Sequence, residues 1–185
     1  VADGDDGGGP YDDLELDDEF YWAAAELFLT TGETAFAEFL AESPEAETPI
    51  DAEGGFDWRA TTALGRIDLA MVDSGVDFAG RDAARASIVE AADGYLSAAG
   101  SAFEQPYRPR NGEYDWGSNA IILNNQVVIA TAAEITGDVR YRDAVVTAMD
   151  YLLGRNGTDL SYITGYGTLF SQNQHHRWMA HSLDA

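Results

Sequence analysis

Six stretches of the sequence place apolar residues at helical spacing, and no stretch of useful length alternates with a period of two. The first pair of helices is joined through Thr31 and Gly32, and the last pair through Thr136 and Gly137. A glycine after the last turn is a common way for a helix to end and for the chain to reverse. The sequence therefore predicts an all-α fold of helical hairpins, arranged as a toroid or solenoid, whose long loops gather on one binding face.

The apolar positions also set bounds for each helix. The predicted ranges are 16–32, 34–42, 56–71, 80–99, 120–135 and 139–153. We expect Asp17 or Asp18 to cap the first helix, where acidic side chains also suit the helix dipole. The side chains predicted to be buried on the first four helices are Phe20, Ala23, Ala24, Leu27, Phe28, Phe36, Phe39, Leu40, Trp58, Leu64, Ile67, Met71, Ile88, Val89, Ala92 and Leu96, with Arg81, Asp82 and Arg85 facing solvent.

The charge balance is strongly acidic and limits the partners of the protein. The chain of 185 residues has 33 Asp and Glu against 10 basic residues, all of them Arg, and a formal net charge of -23. Such a surface repels nucleic acid and anionic membranes, so neither is expected as a partner. The acids are spread along the chain and Lys is absent. This pattern is typical of a halophile, where salt screens the self-repulsion.

Composition excludes several further classes of protein. The chain has no Cys, which excludes disulfides and thiol catalysis. It has no apolar run of about 18 residues, so no membrane span is expected. No basic and then apolar segment opens the chain, so no signal peptide is expected within it. Residues 1–13 are rich in Gly and Asp and are expected to form a loop.

Three segments carry the unusual side chains: the helix start at Asp17 and Asp18, and two long loops. Segments 103–119 and 161–177 are polar and aromatic, and both contain Gly. Loops of this length in a compact domain are usually functional or disordered, and their aromatic content argues against disorder. Aromatic rings suit the apolar faces of sugars, while Arg, His and Asn suit hydroxyl groups. The set is therefore what a groove for a neutral polysaccharide needs, although any one aromatic alone could be packing.

All three His residues of the chain lie close to the end of the second loop, at His175, His176 and His181. Neighbouring His side chains usually point apart, and neither the HExxH nor the His-x-His spacing of a zinc site is present. A hydrogen-bonded structural role and a ligand-binding role for these residues both stay open.

Four segments together resemble glycoside hydrolase family 9, the inverting cellulases. They are 17–27 (DDEFYWAAAEL), 114–125 (YDWGSNAIILNN), 150–156 (DYLLGRN) and 161–177 (SYITGYGTLFSQNQHHR). Leu169 and Gln174 depart from the family's active-site signature, which usually has a polar residue at the first position and Pro or an aliphatic residue at the second. The other three segments are independent of that signature. The resemblance implies an (α/α)6 barrel, of which residues 1–185 would form part of the catalytic domain.

The same resemblance implies an endo-β-1,4-glucanase that acts with inversion. An Asp base activates water and a Glu acid protonates the leaving oxygen, with the two carboxyls about 6.5–9.5 Å apart. The family's base lies in an Asp-Ala-Gly-Asp motif before the matched segments, and its acid lies after the His-x-Arg motif. Neither has a counterpart here. We therefore expect a central-to-late part of the catalytic domain of a secreted enzyme, without either catalytic carboxylate.

Two positions carry over with their roles from the family motif. His175 and Arg177 match the His and Arg that hold sugar hydroxyls beside the cleavage point, and His175 is the catalytic candidate. Trp116 and Tyr166 are candidate platforms for sugar rings. Two rival functions stay open: a non-catalytic glucan-binding module that kept the groove, and a helical scaffold without a sugar role, which the clustered aromatics disfavour.

A structural calcium ion is the one possible cofactor that the resemblance implies. Some members bind calcium through acids that match Asp17, Asp18 and a later Asp near Asp57. Carboxylate oxygens are the hard ligands that Ca²⁺ prefers. Helix capping by Asp17 or Asp18 is the other interpretation, and the two roles can coexist.

Overall fold

The computed structural model describes residues 14–51, 55–99, 103–109, 112–114 and 116–172. Within these ranges the chain forms helices α1 (Asp17–Thr31), α2 (Thr34–Glu42), α3 (Thr62–Met71), α4 (Arg81–Ala98), α5 (Ser118–Thr136) and α6 (Val139–Leu152), with a 3₁₀ helix at Pro44–Ala46. The same ranges contain no regular strand, and their bridges are isolated pairs, Asp57 with Ala60 and Ser161 with Phe170. The all-α prediction is confirmed.

The glycine corners lie where the sequence predicts them. Gly32 and Gly137 both have a φ of 71°, in the left-handed region that favours glycine. The N–H of Gly32 donates to the carbonyl of Phe28 at 2.8 Å, and that of Gly137 donates to Ala133 at 2.8 Å. Each bond satisfies a carbonyl that the end of the helix would leave bare. The corners therefore turn α1 into α2 and α5 into α6.

The helices pack as a row in the order α2, α1, α3, α4, α5 and α6. Helix α1 contacts α2 and α3, and the contacts continue from α3 to α4, from α4 to α5 and from α5 to α6. The main core lies along this row and includes Tyr21, Ala25, Phe28, Leu69, Ile88, Ala92, Val128, Ile129, Ala132 and Tyr141. In the described part of the chain no helix is both long and apolar enough to cross a bilayer.

The buried stripe of α1 differs from the predicted one. Phe20, Ala23 and Leu27 are exposed, whereas the buried side chains are Asp18, Tyr21, Ala24, Ala25, Phe28 and Leu29. Helix α1 carries Ala and aromatic residues on several of its sides, so more than one apolar stripe along it has helical spacing. Packing against α2 and α3 then decides which stripe is buried. On α2 Leu40 is buried and Phe39 is exposed, while on α4 Ile88 and Ala92 are buried and Val89 and Leu96 are half-buried.

Helix α3 begins six residues later than predicted. Residues 56–60 form a turn in which the Asp57 carboxylate accepts from the backbone N–H of Arg59 at 2.8 Å and from its Nη2 at 2.7 Å. This local bonding gives the backbone an alternative to the helix. Trp58 and Met71, predicted to be buried, are exposed, and Leu64 and Ile67 are half-buried.

Side chains from neighbouring helices cap α3 at both ends. This corrects the prediction that Asp17 or Asp18 caps α1 and the prediction that Arg85 faces solvent. Leu16, not Asp17 or Asp18, is the N-cap residue of α1, and it makes no side-chain cap bond. Buried Asp18 instead accepts from the Thr61 backbone N–H at 2.5 Å and from its hydroxyl at 3.1 Å, just before α3. Arg85 Nε donates to the Ala70 carbonyl at 3.1 Å at the other end of α3.

Arg81 makes a similar contact and, like Arg85, is only partly exposed. Its Nη1 donates to the Val72 carbonyl at 3.2 Å. Carbonyls at the C-terminus of a helix attract cationic side chains because they lack intrahelical donors. Asp82 is exposed, as predicted.

Candidate functional site

Two loops meet at one end of the helical row over a small second apolar cluster. We call the described part of 103–117 loop A and residues 153–172 loop B. Tyr107 of loop A, Ile122 of α5 and Leu152 of α6 form the cluster, and Tyr162 of loop B packs against it. Helix α4 ends, α5 begins and α6 ends at this side. The fold therefore brings together the two loops that the sequence singles out.

Loop A is held by a buried amide. Gln105 Oε1 accepts from the Tyr107 backbone N–H at 2.7 Å, while Gln105 Nε2 donates to the Tyr107 carbonyl at 2.7 Å and to the Tyr114 hydroxyl at 2.8 Å. Asn125 of α5 donates from Nδ2 to the Pro106 carbonyl at 2.8 Å. Buried polar groups that are hydrogen-bonded in this way fix the local backbone. The loop is thus positioned from inside.

Two exposed Trp side chains lie at this end of the molecule. Trp116 is 88% exposed, directly before Gly117, where the φ of 78° turns the chain into α5. Trp58 is 48% exposed in the turn before α3. That turn reaches α5 because Asn124 Nδ2 donates to the Phe56 carbonyl at 2.9 Å. Both Trp side chains therefore lie near the first turns of α5. The Trp116 ring is open to solvent, whereas the Arg59 guanidinium lies over the Trp58 ring, 5.6 Å from its centroid.

Loop B is closed on itself by backbone bonds. The Ser161 N–H donates to the Leu169 carbonyl at 3.0 Å, and the Ser171 N–H donates to the Ser161 carbonyl at 2.9 Å. The Tyr162 N–H donates to the Leu152 carbonyl at 2.8 Å, which ties the loop to the end of α6. Since Ser161 itself is buried, the base of the loop is fixed and its tip projects outward.

Tyr166 lies at the tip of loop B. It is 55% exposed, and its N–H donates to the Ile163 carbonyl at 3.1 Å. Gly165 and Gly167 on either side have φ values of 77° and 84°, a backbone conformation that residues other than Gly rarely adopt. The sequence Gly-Tyr-Gly thus serves to present one aromatic ring on a tight turn.

Asn156 orders the first part of loop B. Its Nδ2 donates to the carbonyls of Tyr151 and Leu160 at 2.8 and 2.9 Å, and its Oδ1 accepts from the N–H and hydroxyl of Thr158 at 3.1 and 2.7 Å. One buried amide therefore closes the turn between α6 and the bridge at Ser161.

Tyrosine rings connect the two loops beneath the surface. The Tyr151 ring centroid is 5.9 Å from that of Tyr162 and 6.3 Å from that of Phe103, and those of Tyr107 and Tyr114 are 5.6 Å apart. Burial, followed by the nearby Tyr162, raises the pKa of Tyr151 to about 12. Its phenol therefore stays protonated at neutral pH.

Comparison with known proteins places this geometry in a family. A model of "Glycosyl hydrolase family 9" matches residues 2–185. The chain belongs to glycosyl hydrolase family 9.

Two similar proteins carry the names of an endoglucanase and a cellobiosidase. The chain is 50% identical over 182 residues to Endoglucanase C of Cellulomonas fimi, covering 98% of this chain and 16% of that protein. It is 41% identical over 196 residues to a cellulose 1,4-beta-cellobiosidase of Acetivibrio thermocellus, covering 95% and 22%. A metagenome-derived glycoside hydrolase family 9 endoglucanase has a TM-score of 0.80 at 30% identity, covering 92% of this chain and 31% of that one.

Family membership identifies the fold, and the alignments show that the chain covers only part of the length of its relatives. The helical hairpins form part of an (α/α)6 barrel, as the sequence predicts. The chain spans 16% and 22% of the length of these two curated relatives and 31% of the solved structure.

The predicted sugar-binding residues of this family 9 chain fall into two groups. Trp116 and Tyr166 are exposed on loops A and B, which share one apolar cluster. His175 and Arg177 lie outside the described residues, as does the neighbouring His176. Their roles in catalysis and sugar binding stay predictions.

Two of the three predicted calcium ligands have other partners. Asp57 pairs with Arg59 at 2.7 Å, buried Asp18 accepts from Thr61, and Asp17 is exposed. Among the described residues no group of three or more His, Cys, Asp or Glu side chains is placed to hold a metal ion. The described geometry therefore does not bring Asp17, Asp18 and Asp57 together as ligands, and calcium binding stays a prediction.

Sequence reasoning missed the buried amides that build the site. Gln105, Asn125 and Asn156 are each buried and bond backbone groups of the loops. A signal for one of them was present, since Asn125 is the middle of three consecutive amide residues, 124–126, in an otherwise apolar helical run. Trp58 was also missed as a surface residue because it was assigned to a helix.

Proposed function

We propose that the protein carrying this chain is an endo-β-1,4-glucanase that hydrolyses β-1,4-glucan with inversion at the anomeric carbon. The family 9 match over residues 2–185 carries the proposal. The relatives named Endoglucanase C and cellulose 1,4-beta-cellobiosidase support a β-1,4-glucan as the substrate. A neutral polysaccharide also suits a protein of charge -23, which would repel anionic polymers.

In this proposal loops A and B form one wall of the glucan cleft. Trp116 and Tyr166 stack on the apolar faces of glucose units, and their exposure leaves both rings available to a ligand. The hydrogen bonds at Gln105 and Ser161 fix the loops before substrate arrives. Binding then costs little ordering of the loop backbone, which favours affinity.

His175 and Arg177 supply the polar half of the same proposal. As donors to sugar hydroxyls beside the cleavage point, they would bind more strongly as the ring flattens toward the oxocarbenium-like transition state. Such differential binding raises the rate of glycosidic bond cleavage. We assign the acid and the base to no residue of this chain.

The experiment compares the intact enzyme with a Trp116→Ala variant. Reducing-sugar release from cellohexaose is measured. The loss of one stacking platform is expected to raise KM by about two- to tenfold, because aromatic stacking contributes about 0.5–1.5 kcal/mol. Val139→Ala is the control because it removes exposed apolar surface at the start of α6, at the opposite end of the hairpin. Its KM should be unchanged.

Two outcomes would contradict the proposal. Cellohexaose binding without release of reducing sugar by the intact enzyme would favour the non-catalytic glucan-binding module. Hydrolysis of an unrelated polymer with no action on any β-1,4-glucan would refute the substrate assignment.

Secretion belongs to the same proposal, since an insoluble polymer such as cellulose cannot enter a cell. Glucanase activity of the source culture is expected in the cell-free medium. Activity confined to washed and lysed cells would contradict it.

We also propose that the protein is adapted to high salt. The 33 acidic residues face only 10 Arg, so the Arg residues can balance the charge of at most 10 of these acids. Exposed like charges repel over a Debye length, which falls from about 10 Å at 0.1 M salt to about 3 Å at 1 M. Salt should therefore relieve the self-repulsion of the folded state.

Thermal unfolding of the intact enzyme between 0.1 and 2 M NaCl tests this adaptation. The midpoint should rise by several degrees, and most of the rise should occur below about 1 M, where screening changes most. Sucrose is the control for a general exclusion effect, which would act without screening charge. A midpoint that is independent of NaCl, or that sucrose raises equally, would contradict the proposal.

A further inference from the structure

Tyr114 of loop A is exposed while its hydroxyl is held from below. The side chain is 54% exposed, yet its oxygen lies 2.8 Å from Nε2 of Gln105, which is only 3% exposed. The ring packs edge-on against buried Tyr107, with centroids 5.6 Å apart and planes at 74°. Ring and hydroxyl are thus both fixed at the surface, two residues before Trp116.

The backbone fixes the direction of the bond between Gln105 and Tyr114. The Tyr107 N–H can only donate, so the atom 2.7 Å from it must be Oε1 of Gln105. The other amide atom is then Nε2, which also faces the Tyr107 carbonyl at 2.7 Å. Its second hydrogen reaches the Tyr114 oxygen. Tyr114 therefore accepts from the protein.

A phenol that accepts in this bond keeps its own hydrogen for another partner. The buried side of Tyr114 is occupied by the Gln105 amide and the Tyr107 ring. Because Tyr114 is 54% exposed and lies two residues before Trp116, its O–H hydrogen can be offered to a molecule bound on this surface. An acceptor at this position needs no negative charge, and a sugar hydroxyl oxygen meets the requirement.

We propose that the Tyr114 hydroxyl donates a hydrogen bond to a hydroxyl oxygen of the glucan that stacks on Trp116, with Gln105 as the residue that positions it. The inference rests on the proposed glucanase function and deepens it. Trp116 recognises the flat face of the sugar, which many hexoses share. Tyr114 recognises one hydroxyl at a fixed place and so adds specificity among sugars.

Steady-state kinetics of the intact enzyme with cellohexaose test the role of Tyr114. Tyr114→Phe keeps the ring and its contact with Tyr107 and removes only the oxygen. We expect KM to rise about three- to tenfold with kcat unchanged, which is the range for one lost neutral hydrogen bond. Tyr141→Phe is the control, because it removes a phenol oxygen that bonds Asp93 at 2.8 Å within the helical row. Its KM should not change.

Gln105 is tested by a double-variant cycle. Gln105→Leu removes the donor that orients Tyr114, so it should raise KM when Tyr is at position 114 and have little further effect on KM when Phe is there. A purely structural role for Gln105 would instead lower the melting temperature and add its effect to that of Tyr114→Phe. Should Gln105→Leu fail to fold, Tyr114→Phe still decides the inference, since its side chain lies at the surface.

The outcomes separate this inference from the function on which it rests. A severalfold rise in KM for Tyr114→Phe, with kcat and melting temperature retained, supports it. An unchanged KM for Tyr114→Phe, in an enzyme whose Trp116→Ala variant is impaired, overturns the inference and leaves the proposed function intact. Absence of glucan hydrolysis by the parent enzyme overturns both.

Discussion

Replacing Asp18 by Ala should loosen the start of α3, which is far from Asp18 in the sequence. The buried Asp18 carboxylate accepts from the Thr61 N–H at 2.5 Å and from the Thr61 hydroxyl at 3.1 Å. Thr61 is the residue directly before α3, so its N–H has no partner within the helix. Without the carboxylate this buried donor loses its acceptor.

The expected cost follows from the type of bond. A hydrogen bond to a charged group contributes about 1.5–3 kcal/mol, and the loss of a helix cap costs about 0.5–2 kcal/mol. Both figures describe the same contact, so we expect about 2 kcal/mol for Asp18→Ala rather than their sum. Asp18→Asn keeps an acceptor oxygen and loses the charge, so it should cost about half as much.

Native-state hydrogen exchange in the intact enzyme measures this cost where it arises. A loss of about 2 kcal/mol corresponds to about 30-fold faster exchange of the amides in residues 61–65. Asp17→Ala is the matched control, because Asp17 is the exposed neighbour on the same turn. Each variant is measured with a chelator and again with added Ca²⁺, which separates capping from calcium binding.

The result also has a defined pH dependence. Burial raises the pKa of Asp18, but the hydrogen bonds from Thr61 and the neighbouring Glu19 outweigh burial and leave it below its ordinary value. The stabilisation by Asp18 is therefore present above the pKa of an unfolded Asp, about 3.9, and is lost as the pH falls through the folded value. Asp18→Ala should consequently differ less from the parent in strong acid.

Two results would refute the capping account. Exchange at residues 61–65 that is equal in Asp18→Ala and Asp17→Ala would show that the carboxylate does not hold Thr61. An effect of Asp18→Ala that appears only when Ca²⁺ is added would assign Asp18 to the predicted calcium site instead.

Three further substitutions test other contacts of the intact enzyme by thermal unfolding. Burial raises the pKa of Asp68 to about 6, although Trp22 Nε1 donates to its carboxylate at 2.9 Å. An unfolded Asp has a pKa of about 3.9, so ionisation of Asp68 destabilises the folded state once the pH exceeds about 4. Asp68→Asn should therefore raise the melting temperature at pH 8 and not at pH 4; equal shifts at both would contradict this. Arg66→Met should cost about 2 kcal/mol, since the buried Arg66 Nη2 donates to the Glu45 carbonyl, and a neutral result would refute that bond's importance. Gly137→Ala should cost about 1 kcal/mol through its φ of 71° alone, because nothing lies near its added Cβ, and a stabilised variant would contradict the strain.

The helices could be predicted from the sequence because their signals are local. Apolar spacing and the glycines at 32 and 137 gave the hairpins, and α2 has the predicted bounds. The buried face of α1 could not be predicted, since Ala and aromatic residues occur on several of its sides. The late start of α3 was missed because the Asp57 carboxylate bonds Arg59 in a turn, which helical spacing does not reveal.

The sequence could predict which loops form the candidate site, but not the hydrogen bonds that hold those loops in place. Loop composition located Trp116 and Tyr166 at one end of the molecule. The bonds that build this end join distant residues, as when Asn124 bonds Phe56 and Asn125 bonds Pro106. Such contacts depend on how the helices pack. No local sequence pattern reveals them, so the hydrogen bond between Gln105 and Tyr114 could be found only in the structure.

Proton NMR of cellopentaose during hydrolysis by the intact enzyme tests the central claim most directly. Inversion of a β-1,4 linkage must first produce the α-anomer at the new reducing end, and mutarotation adds the β-anomer later. The account predicts α-anomer signals in the first spectra, and a delay in their appearance for Trp116→Ala. Initial release of the β-anomer would contradict the inverting mechanism, and no cleavage at all would contradict the proposed glucanase function.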